Sequence, residues 1–119
     1  MTTKEIAGRL VELCNKGEFE TAQKELFAQD AVSIEAHETP AFAKETKGLD
    51  QIVEKGRRFE EMTEKMHSIS VSAPIIGGNS FAVIMTLDIT MKGQERMNMS
   101  ELCVYETRDG KVISEQFHM

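Results

Sequence analysis

Hydrophobic and polar residues recur with two different periods along the chain, and the change of period divides the sequence into two parts. In the first half, most apolar residues return every three or four positions, which is typical of helices with one buried face. After about residue 65 they return at every second position, which is typical of half-buried strands. The pattern therefore predicts a mainly helical first half and a sheet in the second.

Three helices are predicted in the first half. The first helix begins with a capping box formed by Thr2 and Glu5, and it ends at the Asn-Lys-Gly run of residues 15–17. The second helix is short and is predicted to end at Asp30. The third helix runs from about residue 49 to residue 63 and carries an apolar stripe along one face. These helices have enough apolar surface to cover one side of a sheet.

A single strand is predicted between the second and the third helix. In the run DAVSIE, Val32 and Ile34 point to one face of this strand, because successive side chains alternate. Glu35 shares the opposite face with Ala31 and Ser33. A charged residue at the end of such a strand either faces water or is directed into a cavity.

The remainder of the chain is predicted to form a loop and then a meander of long strands. Residues 37–48 carry a proline and a glycine and are predicted to be an irregular loop. Strand-like stretches follow the third helix at 66–76, 80–91, 95–106 and 111–118. Short turns that contain glycine separate these stretches, and such turns make neighbouring strands antiparallel. The order α-α-β-α-β-β-β-β predicts an α+β fold with the helices on one face of the sheet.

Composition narrows the class of protein further. With 119 residues the chain is long enough for one core, so we expect a single domain over 1–119. The net charge of −6 argues against nucleic-acid binding, which needs a basic surface. No apolar run approaches the ~20 residues of a membrane span, and no secretory signal is present, so we expect a cytoplasmic protein. Cys14 and Cys103 do not form a disulfide framework and are expected to be buried.

Two glutamates interrupt otherwise apolar faces of the late strands. The faces concerned consist of Met97, Met99, Glu101, Cys103 and Tyr105 in one strand and of Ile113, Glu115 and Phe117 in the next. If these faces point outward, the glutamates could pair with Arg58 or Arg96 at a dimer interface. If they point inward, the carboxyls lie at the polar end of a cavity, and at least one would hold its proton at neutral pH.

Several runs resemble the nuclear transport factor 2-like superfamily, and in particular its SnoaL-like polyketide cyclases and ketosteroid isomerase group. LCNKGEFETAQKELFAQDAVSIE resembles the opening of these proteins, KGLDQIVE their third helix, and ELCVYETRDGKVISEQF their last hairpin. The resemblance implies a cystatin-like cone, in which a curved antiparallel sheet wraps around three N-terminal helices and leaves a pocket at its open end. It also implies a homodimer that forms through the outer face of the sheet.

The resemblance also implies the residues of a site. It puts Glu35 where the isomerases keep the carboxylate base that moves a proton beside a carbonyl. Glu101 falls near the position of their acid partner, whereas Leu10 takes the position of their tyrosine. We therefore expect catalytic roles for Glu35, Glu101 and Glu115, with no metal ion and no cofactor. The residues expected to line an apolar pocket are His37, Phe59, Met85, Met99 and Phe117.

Three functions remain open at this point. The first is a cofactor-free enzyme that isomerises or cyclises an apolar carbonyl compound by acid–base catalysis. The second is a non-catalytic module that holds an apolar small molecule in the same cone. The third is a domain whose outer sheet face mediates dimerisation or partner binding. A pocket carboxyl with a perturbed pKa would favour the first, and a large exposed apolar outer face would favour the third.

Overall fold

The computed structural model describes all residues 1–119 and contains three helices and seven strands. The helices are α1 (Thr3–Asn15), α2 (Phe19–Leu26) and α3 (Leu49–Met62). The strands are β1 (Phe27–Ile34), β2 (Glu45–Lys47), β3 (Thr63–Val71), β4 (Ile75–Gly77), β5 (Ser80–Met91), β6 (Arg96–Arg108) and β7 (Lys111–His118). None of the helices is both long enough and apolar enough to cross a membrane.

Two local predictions are confirmed, the capping box at the start of α1 and the turn between β6 and β7. The Thr2 hydroxyl accepts a hydrogen bond from the Glu5 amide, and the Glu5 carboxylate accepts one from the Thr2 amide, which completes the capping box. In the turn between β6 and β7, Asp109 and Gly110 have φ values of 52° and 77°. Two successive positive φ values are typical of a type I′ turn, which matches the twist of the two strands.

The boundary between the second helix and the first strand differs from the sequence-based prediction. The second helix ends at Leu26 rather than at Asp30, and β1 already begins at Phe27. Phe27 pairs with Val112 of β7, and its ring contacts Tyr105 edge to face, with centroids 6.5 Å apart. Pairing with a strand that is distant in sequence therefore extends β1 backwards, which local helical periodicity cannot indicate.

The sheet is mixed rather than fully antiparallel, and in this respect the prediction was wrong. Its strands lie in the order β2-β1-β7-β6-β5-β3, and β4 also pairs with β5. The hairpin-connected strands β5, β6 and β7 are antiparallel as expected, but β1 runs parallel to β7. No short turn joins β1 to β7, so their relative direction is not constrained by a hairpin.

Two short strands were not predicted. The segment 37–48, which was expected to be an irregular loop, contains β2, and β2 pairs with the end of β1. The stretch expected as one strand at 66–76 is divided into β3 and β4. The break contains Pro74, which has no amide hydrogen to donate to a neighbouring strand.

The three helices cover one face of this curved, unclosed sheet, which confirms the predicted α+β cone. The core lies between them and contains 22 buried apolar residues, including Cys14 and Cys103, which are both unpaired. The Asn15 side chain accepts from the Val71 amide at 3.0 Å and donates to its carbonyl at 3.4 Å. This pair of hydrogen bonds holds the end of α1 against β3.

Candidate functional site

The inner face of β6 becomes progressively more exposed from Tyr105 back to Met97. Tyr105 and Cys103 are fully buried beneath the helices, whereas Glu101, Met99 and Met97 are only half-buried. These five residues alternate onto one face, as the sequence predicted, and the structure shows that this face is the inner one. The inner face of β6 is therefore covered near the β6–β7 turn and partly exposed toward the β5–β6 hairpin, and Glu101 lies at the transition.

Glu115 reaches the same inner face from β7. It pairs across the strands with Tyr105, and Phe117 pairs with Cys103. A register shift after Glu106 inserts one extra residue into β7, so that Val112 rather than Ile113 precedes Glu115 on the inner face. The expectation that Ile113 and Glu115 share a face was therefore wrong, because a bulge interrupts the alternation. Glu115 is only 4% exposed.

A lysine that the sequence analysis did not single out connects the acids. The Lys55 ammonium donates to Ser33 Oγ at 2.6 Å and contacts Glu35 Oε1 at 2.8 Å. The Ser33 hydroxyl in turn donates to Glu115 Oε1 at 2.7 Å. The side chains of Lys55 and Glu35 are 13% and 26% exposed, so the ion pair is largely shielded from water. We call Glu35, Glu101, Glu115 and Lys55 the carboxylate cluster.

The position of Lys55 on α3 contains a signal that could have identified it. Lys55 follows the buried Ile52 by three residues and precedes the half-buried Phe59 by four, so all three lie on one helix face. A lysine on an inward-facing stripe requires an acidic or polar partner, because an unpaired buried charge is costly. Ser33 was predicted to share a face of β1 with Glu35, but its role as a bridge to Glu115 depends on the parallel pairing of β1 with β7.

Burial and mutual repulsion raise the pKa values of two carboxyls in the cluster. The pKa of Glu101 rises from 4.5 to about 7, mainly because burial removes water and further because Glu35 and Glu115 are negative. Burial also raises the pKa of Glu115, although the Ser33 hydrogen bond and the Lys55 charge oppose this. Three carboxyls thus face a single ammonium, and the cluster can both hold and release a proton near neutral pH.

The residues expected to line a pocket have different surroundings. Phe59, Met99 and Phe117 are half-buried and pack against the core, and the Lys55 ammonium lies 5.7 Å from the centre of the Phe117 ring. Met85 is 6% exposed and pairs directly with Glu101. His37 is exposed, because β1 ends at Ile34 and the chain bends before it reaches the histidine.

The two arginines that were possible partners of Glu101 and Glu115 have other partners in the structure. Arg96 binds Asp88 on the neighbouring strand at 2.7 Å, and Arg58 donates to the carbonyl of Ala41. Neither arginine pairs with the inward-facing Glu101 or Glu115. Leu10, at the position where the resemblance expects a tyrosine, is buried in the core.

Tyr105, the one tyrosine of the chain, also lies in the core. Tyr105 stacks on Phe81, with ring centroids 4.8 Å apart. Burial raises the pKa of its hydroxyl well above the ordinary value. The Tyr105 hydroxyl therefore keeps its proton at neutral pH.

Comparison with known proteins identifies the family. The family model described as a SnoaL-like domain matches residues 1–119. The chain is similar to a Mesorhizobium loti protein provisionally assigned as a SnoaL-like polyketide cyclase, with 32% identity, full coverage of both chains and a TM-score of 0.93. No curated protein shows a significant match to the chain.

More distant structures share the fold alone. A Xanthomonas campestris protein with a cystatin-like fold has 12% identity and a TM-score of 0.83, over 99% of this chain and 90% of the other. TerC, which was co-crystallised with polyporic acid, has 14% identity and a TM-score of 0.75, over 97% and 88%.

Proposed function

Because the chain belongs to the family of SnoaL-like domains, we propose that its cone binds an apolar carbonyl compound and moves a proton on it. The proposal requires no cofactor, because the carboxylate cluster contains the groups that acid–base catalysis needs. The observation that carries it is the combination of an ion-paired Glu35 with a half-buried Glu101 whose pKa is about 7. A base must be ionised and an acid must hold its proton, and a pair of carboxyls in different environments meets both needs.

In the proposed reaction, Glu35 removes a proton from the carbon beside the carbonyl, and the electron pair moves onto the carbonyl oxygen. Protonated Glu101 donates a hydrogen bond or its proton to that oxygen, which stabilises the negative charge that develops there. Return of the proton to a different carbon gives an isomer. The same enol can instead attack a second carbonyl in the molecule, which closes a ring.

Lys55 acts in this scheme as a fixed positive charge. Its ammonium lies against the Glu35 carboxylate and the Ser33 hydroxyl, so it holds the base in place and balances its negative charge. Because the ammonium is bound to both groups, we do not propose that it attacks a carbonyl as a free amine. Half-buried Phe59, Met99 and Phe117 supply the apolar surface for the body of the substrate.

Two similar structures support the proposal of a small-molecule ligand. The Mesorhizobium loti protein is assigned as a polyketide cyclase, and TerC was crystallised with polyporic acid. The alternative is a module that binds such a molecule without reacting with it, in which case the acids would only orient the ligand.

Deuterium exchange distinguishes the enzyme from the binding module. We expect the protein to accelerate exchange of the protons beside the carbonyl of cyclic ketones in D2O, followed by NMR. Glu35→Gln should slow this exchange by at least about 100-fold, because it removes the base. Glu38→Gln, which alters an exposed acid three residues away, is the matched control. Ketones that bind without any exchange would contradict catalysis and support the binding module.

A second proposal concerns the outer face of the sheet, where we propose that two copies of the chain associate. Ile84 and Leu102 are 51% and 42% exposed and pair directly across β5 and β6. Ile75, on β4, is more exposed still. Apolar side chains that adjoin on one face are typical of an interface rather than of a surface in contact with water.

The oligomeric state in solution tests this second proposal. We expect a dimer by sedimentation, and Leu102→Glu should shift it to the monomer, because dimerisation would bury the new charge without a partner. Ser68→Glu adds the same charge to β3, near the other edge of the sheet, and should leave the dimer intact. A monomeric native protein would overturn the proposal without bearing on the carboxylate cluster.

A further inference from the structure

A positively charged depression lies beside the carboxylate cluster. Its volume is about 280 Å³, and it is formed by β2, the loop before it and one side of α3. We call it the cationic depression, and the residues that line it include Phe42, Glu45, Lys47, Gln51, Lys55 and Arg58. Three cations and one acid line this depression, although the chain as a whole carries a net charge of −6.

The existing contacts leave about one positive charge uncompensated. Lys55 is paired with Glu35, and Lys47 lies 3.9 Å from Glu45. Arg58 has no acidic partner, because its one side-chain hydrogen bond goes from Nη1 to the Ala41 carbonyl at 3.0 Å. The remaining guanidinium donors of Arg58 are therefore available to a ligand. A planar guanidinium with free donors matches a carboxylate, which can accept two parallel hydrogen bonds.

The depression also contains an aromatic side chain, Phe42, beside Arg58. The Arg58 guanidinium lies 5.9 Å from the centre of the Phe42 ring. Gln51 provides a neutral hydrogen-bonding group on the same wall. The single free positive charge suits a carboxylate better than a phosphate group, because phosphate carries nearly two negative charges at neutral pH.

Lys55 connects this depression to the proposed reaction site. It lines the depression, and its ammonium contacts Ser33 and Glu35. We propose that the cationic depression binds a carboxylate group of the ligand through Arg58, so that the substrate is an apolar carbonyl compound that also carries a carboxylate. This inference rests on the proposed function for the identity of the reacting group, but carboxylate binding can be measured without any reaction.

Benzoate and benzamide are the probes, because they differ chiefly in charge. We expect benzoate to shift the backbone amide NMR signals of residues 42–47 and 51–58, and benzamide to bind more weakly. Arg58→Gln should reduce benzoate affinity by at least about fivefold, since a hydrogen bond between charged groups is lost. Arg57→Gln is the matched control, because this neighbouring arginine is bound to Glu20 and does not line the depression. It should leave benzoate affinity unchanged.

Three results would overturn the inference. The first is benzoate shifts that map elsewhere, the second is an equal effect of the two arginine substitutions, and the third is tighter binding of inorganic phosphate than of benzoate. Failure of the proposed function has a different signature. In that case benzoate still binds and Arg58→Gln still weakens it, whereas neutral ketones show no exchange that depends on Glu35.

Discussion

Glu101→Gln is expected to raise the free energy of unfolding at pH 8 by about 2 to 3 kcal/mol, because a pKa raised from 4.5 to about 7 makes the ionised native carboxyl unfavourable. Between pH 4.5 and about pH 7, Glu101 of the native state holds a proton that the same residue has lost in the unfolded chain. The contribution of Glu101 to stability therefore falls as the pH rises from about 4.5 to about 7, and it is constant above that range. Glutamine has nearly the same shape as glutamate but carries no charge, so the free energy of unfolding of Glu101→Gln lacks this decrease with pH.

Urea unfolding of the native protein and of Glu101→Gln at pH 5 and at pH 8 measures this effect. The stability difference between the two proteins should be small at pH 5 and large at pH 8. Glu106→Gln, which alters an exposed residue on the same strand, should change little at either pH. A variant that is less stable than the native protein at pH 8 would mean that the Glu101 carboxylate is well solvated or well paired.

Lys55→Met is expected to have the opposite effect and to lower the free energy of unfolding at pH 8 by about 3 kcal/mol. Methionine keeps the apolar stem of the side chain against Phe117 but removes the only cation of the carboxylate cluster. Glu35 then loses its ion-pair partner, and Ser33 loses the donor on its hydroxyl. Because the remaining carboxyls can take up protons at low pH, the loss of stability should diminish as the pH falls to about 5.

A double substitution separates the charge effect from packing. Lys55→Met combined with Glu35→Gln should recover part of the stability, because the unpaired carboxylate is then removed as well. Lys65→Met, at an exposed position of β3, should have little effect. If the double variant is as unstable as Lys55→Met alone, the loss comes from packing of the lysine stem rather than from charge.

The features that sequence predicted correctly are those with local causes. The capping box of Thr2 and Glu5, the turn at Asp109 and Gly110 and the strict alternation in β6 each depend on residues within a few positions of one another. Alternation was sufficient to put Glu101 on the same face as Cys103 and Tyr105. The direction of that face stayed open, because the pattern favoured neither the inner nor the outer face, and only the structure shows that it points inward.

The features that sequence missed depend on contacts between distant segments. The start of β1 at Phe27 and its parallel direction follow from pairing with β7, which lies more than 80 residues later. The bulge at Ile113 has no glycine or proline to mark it. The bridge from Lys55 through Ser33 to Glu115 joins three separate elements, so it becomes visible only when the sheet order and the position of α3 are known.

We expect the carboxylate cluster to hold a proton near neutral pH, and titration of the glutamate side-chain carboxyl carbons by NMR measures this. The signal of Glu101 can be assigned by its loss in Glu101→Gln. Glu101 should titrate near pH 7, and Glu115 should titrate above the ordinary value of 4.5. If both carboxyls titrate at ordinary values, they are solvated, and the cluster does not contain the acid that the proposed reaction requires.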